Sequence, residues 1–295
     1  MKFVGSARRR LIDRALRGTV MRILETERVA GQYQLDASMC KGSGRDLARS
    51  SSLSERARRL LSYLSPSDPV GATFRRVGRE HDGGYVMVSE FLDGHIAYSI
   101  GIGDDVSWDI AIAELGYDVF QYDHTVDNPN APNSGRFHAR RICGENGKIS
   151  KDDLTLSECL IENGHSDANE LVLKIDIEGD EWDIFNTVQP ETLAHFSQIA
   201  VEFHHIHHCI IDVNYSYFFD ALNNIRTQFT PVHVHANNAH DFCIIGGVPV
   251  PPTLEVTFIR SDVCKFSENT RTFPTILDSP NYYRWPELYL GKFVF

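Results

Sequence analysis

The segment Lys174-Ile175-Asp176-Ile177-Glu178-Gly179-Asp180-Glu181-Trp182 packs four carboxylates and a lysine into a short stretch. Leu171 to Ile175 reads as a buried strand and Asp180 to Val188 as a helix, so the acids fall where a strand turns into a helix. One acid there can simply complement the helix dipole, and Asp180 or Glu181 fits that role. Asp176, at the strand tip, does not. A second loaded strand end is Val201-Glu202-Phe203-His204-His205, where alternation turns Glu202 and His204 to one face and Phe203 to the other. His233 and His235 alternate in the same way, and seven of the thirteen histidines lie between positions 204 and 240. Two chemistries are open to this set. In one, His204 or Glu202 accepts a proton from a substrate hydroxyl while Asp176 orients it. In the other, Asp176, Glu202, His204 and His235 ligate a divalent metal. No local metal-ligand spacing supports the second, so proton transfer is the preferred reading. His207 and His208, beyond the strand, are expected to be solvated.

A third strand end carries glycines. His95 to Ile100 reads as a short buried strand that runs into Gly101-Ile102-Gly103-Asp104-Asp105. Glycines let a backbone approach a ligand closely, and the following helix offers free amide donors. Asp123 ends the next strand, twenty-two residues after Gly101. A carboxylate there can accept both hydroxyls of a ribose, which fits a dinucleotide or S-adenosylmethionine. A dinucleotide fingerprint needs a third glycine where this chain has Val106. Asp104 and Asp105 would also repel a pyrophosphate, whereas S-adenosylmethionine has none and carries a sulfonium cation. Gly101, Gly103, Asp104 and Asp123 are therefore read as binding S-adenosylmethionine. A nicotinamide-dependent oxidoreductase is disfavoured by Val106.

These strand ends need a scaffold. From Phe74 onward, short apolar strands alternate with helices: a strand pair between Val77 and Val88, a helix over 108–115, a strand over 119–122, a helix over 154–163, a strand over 198–203, a helix over 215–225, and closing strands over 232–235 and 254–259. This is the pattern of an α/β domain with a mostly parallel sheet and helices on both faces, in which ligands sit beyond the carboxyl ends of the strands. We place that domain at residues 71–295. Residues 1–70 read as a basic helical extension and linker, with a Gly/Ser/Arg-rich stretch over 36–52 and a short capped helix opening at Ser52-Leu53-Ser54-Glu55.

Net charge is −11 over 295 residues, but residues 1–60 hold fourteen basic against six acidic side chains. The acidic remainder argues against extended nucleic-acid binding, because it cannot neutralise a row of phosphates. In the head, Ile12, Leu16, Val20 and Ile23 form one apolar helical stripe among arginines. Such a helix packs on an acidic protein surface or, alternatively, lies on an anionic membrane through residues 1–30. No apolar run approaches the ~20 residues of a spanning helix, and arginines interrupt any secretory-signal pattern. Six scattered cysteines (Cys40, Cys143, Cys159, Cys209, Cys243, Cys264) form no Cys-x-x-Cys pair and read as reduced thiols of a cytoplasmic protein, peripheral to a membrane if the head docks there.

The 174–182 segment resembles the Lys-Ile-Asp-x-Glu-Gly-x-Glu signature of FkbM-type S-adenosylmethionine-dependent methyltransferases. Thr155-Leu156-Ser157-Glu158-Cys159-Leu160 resembles the Thr-Leu-Asp-Asp-Leu-Leu element that precedes it in the family, with Ser157 replacing an Asp. Asp82-Gly83-Gly84-Tyr85, the stretch from Tyr98 to Asp109 and the tail Phe273 to Asn281 are similar to a branch known as methyltransferase-like proteins. The likeness runs from about residue 74 to 290. It implies a class I methyltransferase (Rossmann-like) fold and transfer of a methyl group to a hydroxyl of a sugar, glycolipid or small metabolite, with Asp82 to Tyr85 as a flap over the pocket. The altered Ser157 keeps open the alternative of a non-catalytic binding protein on the same fold.

Overall fold

The computed structural model describes residues 50–126 and 135–295. The amphipathic stripe at 12–23, most of the linker and Cys40 lie outside the described residues. Helix α1 (Ser51–Ser62) opens the described chain and turns Ala57, Leu60 and Leu61 inward. Then follow β1 (Ser67–Pro69), β2 (Phe74–Val77), β3 (Tyr85–Val88), β4 (Ile96–Ile100), α2 (Ser107–Glu114), β5 (Asp118–Tyr122), β6 (Gly135–His138) and α3 (Leu156–Glu162). The second half holds β7 (Leu171–Ile175), α4 (Glu181–Thr187), α5 (Pro190–Leu193), β8 (Phe196–Phe203), α6 (Asp212–Arg226) and β9 (Phe229–Ala236). The short hairpin β10 (Cys243–Ile245) and β11 (Val248–Val250) precedes β12 (Leu254–Arg260) and β13 (Phe266–Glu268).

Seven strands form one sheet in the order β6-β5-β4-β7-β8-β12-β9. Neighbours from β6 to β8 are parallel, and β12 runs antiparallel to both β8 and β9. This is a Rossmann-like arrangement, a mostly parallel sheet flanked by helices. The parallel strands all deliver their carboxyl ends to one edge, which is why Gly101, Asp123, Asp176 and His204 become neighbours there.

Strand alternation sorts the side chains into two layers. Tyr98, Ile100, Leu173, Ile175, Val201 and Phe203 face a large core shared with α1, α3, α4 and α6. Ala97, Val119, Val172 and Ala200 face the other way, against Trp108 and Ile112 of α2 and Val77, Tyr85 and Met87 of the β2–β3 hairpin. On that second face the hairpin takes ground that a helix covers in a plain doubly wound fold. Buried polar groups fasten it: Gln198 Oε1 accepts from the Val88 amide at 2.7 Å, and the Thr257 hydroxyl donates to the Val86 carbonyl at 2.6 Å.

Three local features refine the sequence reading. The strand pair between Val77 and Val88 has a longer connection than a tight turn, with β2 and β3 pairing Val77 to Tyr85. Helix α1, read as part of the extension, puts Ala57, Leu60 and Leu61 into the same core as the sheet, joined by Leu64 just after it. Thr155 caps α3 in a capping box with Glu158, which accounts for a threonine and an acid at that spacing. All five described cysteines are free thiols. Among the described residues no helix is long and apolar enough to cross a membrane.

Candidate active site

At the end of β4 the chain turns through Gly101 (φ +75°) and Gly103 (φ +53°), both in the left-handed region that favours glycine. The two glycines do different things. A Cβ on Gly101 would lie 1.6 Å from the Asp176 carbonyl oxygen, so its lack of a side chain lets the ends of β4 and β7 touch. A Cβ on Gly103 would meet nothing within 4 Å, leaving that peptide open to an approaching ligand. Asp104, beside it, is exposed.

Asp123 holds this loop from below. Its Oδ2 accepts from the amides of Ile102 (3.0 Å) and Gly103 (2.9 Å), and its Oδ1 accepts from the Thr125 amide and hydroxyl, both at 2.6 Å. Burial works against the charged form, yet these donors win and keep the carboxyl below its ordinary pKa. A carboxylate has about four acceptor sites, and here all are in use.

One strand over, Asp176, Glu202 and His204 converge: one ligand-capable atom from each lies within 4.8 Å of the others. The Tyr85 hydroxyl, brought by the hairpin, donates to Asp176 Oδ2 at 3.1 Å. Lys174 sits beneath, donating to the Gly101 carbonyl and standing 3.8 Å from Asp176 Oδ2. Asn237 donates to Glu202 Oε1 at 2.8 Å. Glu181, fully buried, accepts from the His204 amide at 2.6 Å, contacts His204 Nδ1 at 3.2 Å and accepts from the Gly179 amide at 2.8 Å. His205 (φ +60°) then swings the chain away just past the end of β8.

The field in this pocket is strongly negative. Burial, reinforced by the Asp176 charge, raises Glu202 well above the usual carboxylate range. Burial disfavours a charged His204, but the Glu181 hydrogen bond and the charges of Glu202, Glu181 and Asp176 overcome it and lift the imidazole to about 10. With no metal bound, His204 therefore carries a proton at neutral pH, the opposite of the free imidazole expected of a proton acceptor. Burial and the surrounding carboxylates likewise raise Tyr85.

His235 does not join the cluster. It lies two strands from Glu202, with β12 between them, and its Nδ1 and Nε2 contact Glu255 (3.0 Å) and Glu287 (3.2 Å). His233 pairs with Asp278 at 2.8 Å. Both histidines therefore anchor the carboxyl-terminal tail to the sheet. His207 and His208, expected in solvent, are half-buried in a group of rings with His205, and burial pushes His207 down to about 4.

Reading the sequence alone missed three contributors. Glu181 reads as a helix-dipole acid, because nothing local reveals that it is buried under His204. Lys174 shares strand parity with Asp176, a signal present in the sequence but not used. Glu255 stands directly opposite both Glu202 and His235 across the sheet, a pairing that only the position of β12 reveals.

No protein-family model matches the sequence, and no curated protein matches it. Solved structures with related backbones include a fibrillarin/Nop5p complex, at TM-score 0.34 and 10% identity, covering 57% of this chain and 73% of that one. Another is magnesium protoporphyrin IX methyltransferase from Synechocystis PCC 6803, at TM-score 0.30 and 9% identity, covering 58% and 75%. Likeness at that level carries no argument about activity, which rests on this chain's own residues.

Proposed function

We propose that this protein is an S-adenosylmethionine-dependent methyltransferase that methylates a hydroxyl group of a sugar, glycolipid or small metabolite. The observation that carries the reading is the backbone contact between the glycine loop and the acidic cluster. The Asp176 amide donates to the Ile100 carbonyl at 2.9 Å, so a glycine loop with open space at Gly103 and a set of proton-handling side chains share one strand end. The reversed strand β12, set between β8 and β9, is also in keeping with the class I methyltransferase fold that the resemblance implies.

The residues fit the methionine and sulfonium part of the cofactor. Gly103 leaves room, and the exposed Asp104 with partly exposed Asp176 presents negative charge to a sulfonium. The ribose is the tighter requirement, since Asp123 must release the Thr125 hydroxyl to accept a sugar hydroxyl. When bound, S-adenosylmethionine supplies an electrophilic methyl group. Beyond that, the chain's task is to align the acceptor oxygen and take its proton, and alignment alone can provide much of the rate. Asp176 is the member of the cluster open enough to reach an acceptor, whereas Glu202 and His204, at the end of β8, are buried. The Tyr85 hydroxyl, hydrogen-bonded to Asp176, is the contact that supports a flap role for Asp82 to Tyr85.

Calorimetric titration with S-adenosylmethionine, followed by transfer of a labelled methyl group into fractionated carbohydrate and lipid extracts, tests the proposal. Saturable binding with label in a hydroxyl-bearing fraction is the expected result. Absence of binding at millimolar cofactor, or tighter binding of a nicotinamide dinucleotide, overturns it.

A further inference from the structure

We propose that Asp176, Glu202 and His204 form a three-ligand site for a divalent cation of the Mn²⁺ or Mg²⁺ type. The site itself stands on the geometry; its use, to hold the acceptor oxygen, rests on the methyltransferase reading.

The first ground is convergence. One ligand atom from each residue lies within 4.8 Å of the others, and His204 Nε2 is 3.9 Å from Asp176 Oδ1. Around an octahedral ion with bonds of about 2.1 Å, donors sit about 3 to 4.2 Å apart, so small side-chain rotations close the set. Two carboxylate oxygens and one imidazole nitrogen are donors that such ions accept, and they leave positions for water and a substrate oxygen.

The second ground is how the three are held from outside. Each ligand has one polar atom fastened by a neighbour on a different element: Asp176 Oδ2 by the Tyr85 hydroxyl, Glu202 Oε1 by Asn237 and His204 Nδ1 by Glu181. Metal-bound histidines are oriented in this way by a carboxylate on the second ring nitrogen. The opposite atoms, Asp176 Oδ1, Glu202 Oε2 and His204 Nε2, take part in no hydrogen bond with the described residues. The ordered outer contacts and the open inner atoms fit an ion. Lys174 approaches Asp176 from the Oδ2 side and does not fill the gap, while the exposed Glu178 stands at the mouth, 3.6 Å from His204 Nε2.

A cation in this place withdraws charge from a coordinated hydroxyl and makes its proton easier to lose. It would act on the oxygen that receives the methyl group, and the carboxylates would no longer face one another unshielded.

The test is Mn²⁺ binding to the full chain after chelator treatment, followed by electron paramagnetic resonance and calorimetry. One Mn²⁺ per chain is expected, with binding weakened at least tenfold by Asp176→Asn and by Glu202→Gln. Glu181→Gln, which touches no ion, is expected to weaken it by about 10- to 100-fold through the orientation of His204. If a variant fails to fold, thermal stabilisation of the unaltered chain by Mn²⁺ provides a reading that needs no substitution. No saturable binding, or binding indifferent to Asp176→Asn, overturns the site. S-adenosylmethionine titrated into the chelated protein keeps the two ideas apart. Cofactor binding without Mn²⁺ binding refutes the cation site alone, and Mn²⁺ binding without cofactor binding refutes the methyltransferase reading alone.

Discussion

Gly101 and Gly103 occupy one loop and share a positive φ, yet the space around them differs completely. Gly103→Ala faces only the left-handed backbone penalty, about 1–2 kcal/mol, whereas Gly101→Ala adds a collision with the Asp176 carbonyl. In chemical denaturation we expect Gly103→Ala to fold with a modestly lower midpoint and weaker cofactor binding. Gly101→Ala should lose several times more stability. Equal losses would show that the loop yields as a unit. Asp123→Ala removes the acceptor for the Ile102 and Gly103 amides as well as the proposed ribose partner. At ~1.5–3 kcal/mol for hydrogen bonds to a charged group, S-adenosylmethionine affinity should fall roughly tenfold to a hundredfold by calorimetry. An unchanged affinity would leave Asp123 as a purely structural residue. Side-chain parity makes Glu202 and His204 legible from sequence, because alternation within one strand is a local property. The charge state of His204 is not legible, since it depends on Glu181, which is remote in sequence and buried out of view.

The elements that present these residues were readable to unequal degrees. β4, β5, β7, β8 and β12 are short, largely apolar and buried segments, and their positions follow from the sequence pattern closely. β6, β1 and β13 escape, being short and polar edge elements whose only reason to be extended is a neighbouring strand. The tail over 269–295 escapes for a related reason: it has little regular structure and is held by side chains. His233 takes Asp278, His235 takes Glu287, and Asn238 donates to the carbonyls of Tyr282 and Trp285. Burial opposes the charged form of His235, but Glu255 from β12 and Glu287 and Asp278 from the tail raise it to about 10 from an ordinary 6.5. A raised value means the stabilisation is complete below the ordinary value and is lost as pH climbs through about 10. Thermal midpoints of the unaltered chain should therefore fall between neutral and strongly alkaline pH more steeply than those of His235→Gln. Parallel curves for the two proteins would show that the tail is held by packing alone.

Across the whole molecule, charge is divided by position in the chain. Residues 1–30 hold eight basic and three acidic side chains, while the full chain has net charge −11. An anionic bilayer would repel the acidic body and attract the head, so electrostatics alone sets the orientation of any membrane contact. A polybasic segment gains about 1 kcal/mol per Lys or Arg at such a surface, and this weakens as salt shortens the Debye length. The stripe of Ile12, Leu16, Val20 and Ile23 would add apolar insertion, and a glycolipid acceptor of the proposed methyltransferase would then be delivered at the surface where the protein sits. The competing reading is that the head packs on acidic protein surface, its own or a partner's. Sedimentation with anionic liposomes at low salt separates the two. If the head docks on lipid, the full chain should pellet, release at high salt, and lose pelleting when residues 1–30 are removed, with no change in thermal midpoint. If the head packs on its own body, both proteins should stay in the supernatant, and the shortened one should melt earlier. Equal recovery of both proteins in the supernatant at low salt would end the membrane reading.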